Sequence, residues 1–251
     1  MSDASEAEFG TMAAWTADAA QALGPDHFVP AGCRGSGGPS ALDWFLHHLD
    51  VGPETMLLDV GAGVGGPAGY ARKQRGASAL LVEPELAACH AARTLFDVPT
   101  ACADAAALPL PDASFDVVWC LAVLCTTADQ PAVMHELRRV LTPSGRLGML
   151  VYVAAGEVHG PPEGNDFPTE EGFAQLCAGA GLTVVERTAL SHLPDAPAPW
   201  TARERAVRDL IADDHGEDEA WREAARQEKA IGMLIGSGAV IGQLFVLSPT
   251  S

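Results

Sequence analysis

The chain reads as an α/β protein with a largely parallel sheet covered by helices on both faces. Three observations predict this. Near-continuous apolar runs recur, segments of helical periodicity separate them, and Gly- and Pro-rich turns mark the joints. At 251 residues, 48% of them hydrophobic, the chain can bury one large core and still carry an added cover or lid.

Residues 12 to 23 put Met12, Trp15, Ala19 and Leu23 on one helical face, and Gly24-Pro25 stops that run. After a Gly- and Pro-rich loop, Pro39 suits the first turn of a second helix bearing Leu42, Phe45, Leu46 and Leu49. Residues 1–52 are therefore expected to form an N-terminal helical cover. Strand-helix alternation starts at Met56-Leu-Leu-Asp-Val60, followed by the turn Gly61 to Gly66 and a helix near 67 to 75. Strands are predicted at 79–82, 98–102, 115–121, 146–153 and 182–188, with helices over 85–96, 131–141 and 170–180 between them. Thr142-Pro143-Ser144-Gly145 is the stop for the second of these helices, and Thr169 caps the third. Two charged amphipathic helices fill 200–235 before a last strand at 239–247, so the core spans 53–190 and 236–251 and residues 191–235 form a helical insertion.

A net charge of −18, with no Lys/Arg cluster beyond pairs such as Arg138-Arg139, disfavours nucleic acid and anionic membrane as partners. The acidic run from Asp213 to Glu219 reads as a solvated helix junction. Six cysteines show no CxxC pair or zinc spacing, so they read as reduced core residues and no metal site is expected. The N-terminus has no signal pattern and no apolar run reaches membrane length, which predicts a soluble cytoplasmic protein.

Chemistry concentrates at the first strand end. In Leu57-Leu58-Asp59-Val60-Gly61-Ala62-Gly63-Val64-Gly65-Gly66, small residues let a ligand approach the backbone at the open edge of the sheet. Gly61, Gly63 and Gly66 also satisfy the dinucleotide pattern GxGxxG, so the glycines alone do not choose a cofactor. The carboxylates narrow the choice. Asp59 precedes the first glycine, where a pyrophosphate would meet negative charge and a cationic ligand would be welcome. Glu83 ends the second strand, placed to accept both hydroxyls of a ribose, and Asp104 follows the third, placed to accept from an adenine amino group.

These segments resemble the class I S-adenosylmethionine-dependent methyltransferases, in particular the group containing ubiquinone- and menaquinone-pathway C-methyltransferases. Leu58 to Gly65 is similar to the first motif, Leu81-Val82-Glu83-Pro84 to the ribose-binding strand end, and Ala103 to Val118 to the adenine-binding segment. Glu136 to Arg146 resembles the helix and turn before strand five. The resemblance covers roughly residues 54 to 153 and departs at Ser144, where such proteins commonly show Gly. It implies a Rossmann-like seven-stranded mixed sheet of order 3-2-1-4-5-7-6 with an antiparallel last strand, and the insertion at 191–235 as a lid. It also implies S-adenosyl-L-methionine as cofactor, held by Asp59, Gly61, Ala62, Gly63, Gly65, Glu83, Pro84, Asp104, Ala105 and Leu121. Gly65-Gly66-Pro67-Ala68 is similar to the glycine loop of sterol and tocopherol C-methyltransferases, which points to an apolar acceptor.

Methyl transfer from a sulfonium is an in-line displacement that positioning and water exclusion can drive, so no fixed catalytic signature is expected. Leu124 and Cys125 after strand four, Tyr152 after strand five and Trp200 are candidate acceptor-pocket residues. His159, in the loop Gly156 to Gly164, and His27 in the N-terminal loop are candidate bases, with a solvent-exposed loop histidine as the alternative for His159. Three readings stay open: methyl transfer to a carbon, oxygen or nitrogen of a small molecule; a non-methylating rearrangement or cyclisation by an S-adenosylmethionine-binding protein; and an NAD-dependent dehydrogenase. A homodimer is compatible with any of them.

Overall fold

The structure, a computed structural model, describes residues 3–250. Seven strands form one sheet in the order β3-β2-β1-β4-β5-β7-β6: β1 (Met56–Val60), β2 (Ser78–Glu83), β3 (Thr100–Cys102), β4 (Phe115–Leu121), β5 (Leu141–Ala154), β6 (Leu182–Ala189) and β7 (Val240–Pro249). The first five run parallel, and β7 lies antiparallel between β5 and β6. The central strands are apolar at almost every position because both of their faces are covered.

On one face, Leu58, Val60, Val118, Cys120 and Met149 pack under α6 (Gln130–Val140) and α7 (Glu170–Gly179) through Met134, Leu137 and Phe173. On the other, Leu57, Leu81, Trp119 and Leu150 pack under α3 (Gly38–His48) and α4 (Gly66–Arg75) through Leu42, Phe45, Ala68 and Tyr70. Each fully buried large side chain here contributes about 1.5–3 kcal/mol relative to exposure. A third cluster lies off the sheet. Met12, Ala13 and Ala20 of α1 (Asp3–Leu23) meet Ala91 and Leu95 of α5 (Leu86–Phe96), Val207 and Ile211 of α8 (Ala198–His215) and Ala224 of α9 (Glu219–Gly236). Helix α1 thus joins the helical insertion to the core, and the five-residue α2 (Phe28–Gly32) lies beneath that bundle.

The structure differs from the sequence reading at two boundaries. Helix α1 begins at Asp3, well before residue 12. Strand β5 begins at Leu141, because Leu141 pairs with Phe115 as soon as α6 ends; the ladder then shifts register, and Arg146 pairs with Val117. Thr142 to Gly145, expected as a helix stop, bulge within that extended stretch, where Pro143 has no N–H to contribute and Thr142 Oγ1 donates to Asp116 Oδ1 at 2.8 Å. Among the described residues all six cysteines are unpaired; five are buried, and Cys102 is exposed. No helix is long and apolar enough to cross a membrane among those residues.

Candidate active site

Strand ends β1, β2 and β3 bring the three carboxylates to one edge of the sheet, since Asp59 lies beside Leu81, and Glu83 beside Cys102, in the parallel ladders. The glycine turn wraps back against this edge. Gly61 N and Ala62 N both donate to Val82 O, at 2.8 and 3.2 Å, and Gly65 N donates to Ala62 O at 2.9 Å. Gly61 has φ +71°, and a Cβ there would lie 2.2 Å from Val123 Cγ2, so the loop after β4 fits the turn only because position 61 has no side chain.

Glu83 is 4% exposed and is held by two backbone donors, Gly63 N to Oε2 at 2.8 Å and Glu85 N to Oε1 at 3.1 Å. Burial pushes its carboxyl above the usual range, and those two N–H groups restrain the rise. Remaining lone pairs on both oxygens can accept from a ribose diol. Asp59 is 1% exposed, and its Oδ2 has no hydrogen-bond partner. Burial pushes it up to about 7; the Trp119 indole N–H and the Ala68 amide lie beside it, and Glu83 adds repulsion. A cation arriving here relieves a buried, under-satisfied carboxylate, whereas an anion aggravates it.

Asp104 is exposed on the loop after β3, with Oδ1 accepting from Ala106 N at 2.7 Å. Arg139 fixes that loop. Its guanidinium donates to Leu110 O, Asp112 Oδ1 and Leu108 O at 2.7, 2.7 and 3.0 Å, while Glu136 Oε2 accepts from Leu108 N at 2.8 Å. Ala105 and Leu121 are buried, and Pro84 is exposed. After Leu121 the chain turns sharply at Ala122, a non-glycine residue at φ +62°.

The N-terminal segment closes over this cradle. Phe9 Cζ lies 3.8 Å from the Cβ position of Gly63, and Gly10 packs on the Glu85 carboxylate. At the end of α2, Gly32 and Gly66 touch backbone to backbone: a Cβ on Gly66 would lie 2.1 Å from the Gly32 carbonyl carbon and 2.5 Å from Cys33 N. Gly66 therefore seats the N-terminal segment on the helix that follows the turn.

Beyond Cys33 lies a cavity of about 540 Å³ between α1, α2, the 33–38 loop and the α8–α9 pair. Met12, Ala31, Val207, Ile211 and Trp221 give it apolar walls, and Tyr152 and Leu190 border it from the sheet side. Its polar lining is Thr16, Thr201, Glu204, Glu228 and three arginines, 34, 205 and 208. Glu228 accepts from both Arg34 (Nη2, 3.2 Å) and Arg208, and Arg208 also stacks over Trp221, so one strap joins the N-terminal loop to both insertion helices.

Of the expected acceptor residues, only Tyr152 borders this cavity. Leu124 is 1% exposed in the core below α6, because a 3₁₀ turn over Leu124–Thr126 folds it inward. Cys125 packs with Ala154, Phe167 and Val240, away from the cavity. Trp200 sits just behind the wall, edge-on to Tyr70 at 5.8 Å, its buried indole N–H unpartnered. His159 is 84% exposed beside Glu157 in a loop that reaches solvent, and His27, in a 3₁₀ turn before α2, lies outside the cavity lining. The residues unanticipated from sequence, Glu204 above all, belong to a helix that meets across the cavity the residues 12–38, more than 150 positions away in the chain.

Residues 58–149 match the methyltransferase domain family. The chain is 32% identical over 187 residues to the methyltransferase GfsG of Streptomyces halstedii, a match covering 69% of this chain and 60% of that protein's length. Among solved structures it superposes on the [4+2]-cyclase SpnF with a TM-score of 0.65 at 22% identity, covering 84% of this chain and 81% of that one. It superposes on the geranyl diphosphate C-methyltransferase of Streptomyces coelicolor A3(2), solved with S-adenosyl-L-homocysteine, with a TM-score of 0.62 at 17% identity, covering 83% and 76%. These two structures share its fold.

Proposed function

We propose that this chain, whose residues 58–149 belong to the methyltransferase-domain family and whose sheet has the class I order, transfers a methyl group from S-adenosylmethionine to a small, largely apolar acceptor. One observation carries the choice of cofactor. The amides of Gly61, Ala62, Gly63 and Gly65 all donate within the protein, Gly63 to the Glu83 carboxylate itself. A pyrophosphate needs such N–H groups free, and here it would face two buried carboxylates as well. A nucleoside with a sulfonium and an ammonium needs the reverse, namely acceptors and negative charge.

S-adenosylmethionine supplies an electrophilic methyl group when bound. The protein's part is to hold and dehydrate. Glu83 takes the ribose hydroxyls, Asp104 the adenine amino group, and Asp59 places negative charge under the cationic end. The strap through Glu228 keeps α8 and α9 over the acceptor and excludes water. In this reading residues 1–52 act as cover, residues 191–235 as lid, and the protein works in the cytoplasm on small molecules rather than nucleic acid. Support for a small acceptor comes from the net charge of −18 and from a cavity of about 540 Å³ with partly apolar walls. The likeness to GfsG supports methyl transfer.

S-adenosylhomocysteine should raise the melting temperature by several degrees at saturating concentration, and NADH should not. A shift with NADH alone reverses the assignment. The shared fold with SpnF keeps a second reading, cyclisation without methyl transfer, which product mass separates: methylation adds one CH₂ to the acceptor and releases S-adenosylhomocysteine.

A further inference from the structure

Building on that reading, we infer that Glu204 recognises the acceptor and that the acceptor presents a hydroxyl to it. Glu204 lies on the cavity-facing side of α8, half-buried, with no cation within ion-pair distance among the described residues. The one other carboxylate in the cavity lining among the described residues, Glu228, holds two arginines. Cys33, whose backbone abuts Gly66 at the end of the glycine turn, lines the same cavity as Glu204, so that cavity adjoins the cofactor cradle.

The surroundings discriminate between ligands. Two donors are at hand: the Trp200 indole N–H, one turn earlier on α8 and beside the Glu204 carboxylate, and the Tyr152 hydroxyl at the cavity border. A hydroxyl both donates and accepts, so it can satisfy Glu204 and one of these donors together. An ammonium only donates. It would also enter a wall carrying three arginines against two glutamates. Burial, by raising the Glu204 carboxyl, makes it a better proton acceptor for a hydroxyl and a poorer counter-ion for an ammonium. In the step that follows, an oxygen lone pair forms the new O–CH₃ bond, the S–CH₃ bond breaks with its electron pair going to sulfur, and the hydroxyl proton passes to Glu204.

The test uses three probes of one shape on the full chain saturated with S-adenosylhomocysteine: 2-naphthol, 2-methoxynaphthalene and 2-(naphthalen-2-yl)ethylammonium. Calorimetric affinities should rank the naphthol first, about tenfold tighter than its methyl ether. In Glu204→Leu that preference should fall below about twofold, with S-adenosylhomocysteine affinity unchanged. Equal binding of naphthol and ether by the wild type, tightest binding of the ammonium, or a preference that survives in the variant each overturns the assignment. The wild-type ranking stands as a test even if the variant does not fold. Absence of S-adenosylhomocysteine binding defeats the methyltransferase reading itself, whereas its binding without a hydroxyl preference defeats only the role of Glu204.

Discussion

Asp59 binds its proton more tightly in the folded chain, at about 7, than an unfolded aspartate near 3.8 does. Between those values the folded state carries the extra proton, so raising the pH through this window removes stability, and above it the loss is complete. At 1.36 kcal/mol per unit the loss reaches at most about 4 kcal/mol. Asp59→Asn keeps the shape without the charge. Its melting temperature in the absence of cofactor should exceed that of the wild type at pH 8, with the gap closing near pH 4. The same variant should weaken S-adenosylmethionine more than S-adenosylhomocysteine, because only the former carries a sulfonium; equal weakening would remove Asp59 from the charge argument. Asp59, Glu83 and Asp104 stood out in the sequence because each sits within two residues of a strand's C-terminal end. Leu124 was not, since a single 3₁₀ turn decides whether the residue after β4 faces a ligand or the core. His159 shows the opposite difficulty: a chemically apt side chain in a loop that the fold leaves in solvent.

Among the elements, the loop carrying Asp104 depends on a helix remote in sequence. Arg139 donates to two carbonyls and one carboxylate of that loop while Glu136 receives Leu108 N. This gives the resemblance of segment Glu136 to Arg146 a physical content that the sequence pattern lacked. Arg139→Met should cost about 2–3 kcal/mol in chemical denaturation and lower S-adenosylhomocysteine affinity severalfold, although the residue touches no ligand. Seating of the N-terminal segment depends instead on the absence of atoms. Gly66→Ala drives a Cβ into the Gly32 carbonyl, so about 1–3 kcal/mol should be lost and proteolysis near residues 33–38 should quicken. Wild-type stability in that variant would mean that α2 is not held by this contact. Glu228→Gln bears on the strap. Its ion pairs are exposed, so global stability should change by less than about 1 kcal/mol, while apolar probes enter and leave the cavity faster in stopped-flow fluorescence.

At the scale of the molecule, the sheet was legible because buried parallel strands write themselves as continuous apolar runs, and because the glycine turn identifies which strand comes first. The cavity was not. Its walls come from α1, α2, α8 and α9, whose apolar stripes show that they pack but not against what; Val207 and Ile211 were readable as a face, whereas Glu204 beside them was not readable as a lining residue. Gly32 and Gly66, 34 positions apart, carry no local signal of their contact. In the proposed function, the carboxylates around the glycine turn, and not the glycines, select the ligand, and a crystal structure with S-adenosylhomocysteine puts this to the test. It should show the ribose hydroxyls on Glu83, the adenine amino group at Asp104, and the amides of Gly61 to Gly65 still donating within the protein. A ligand whose ribose lies away from Glu83, or a turn that opens its amides toward the ligand, would contradict it.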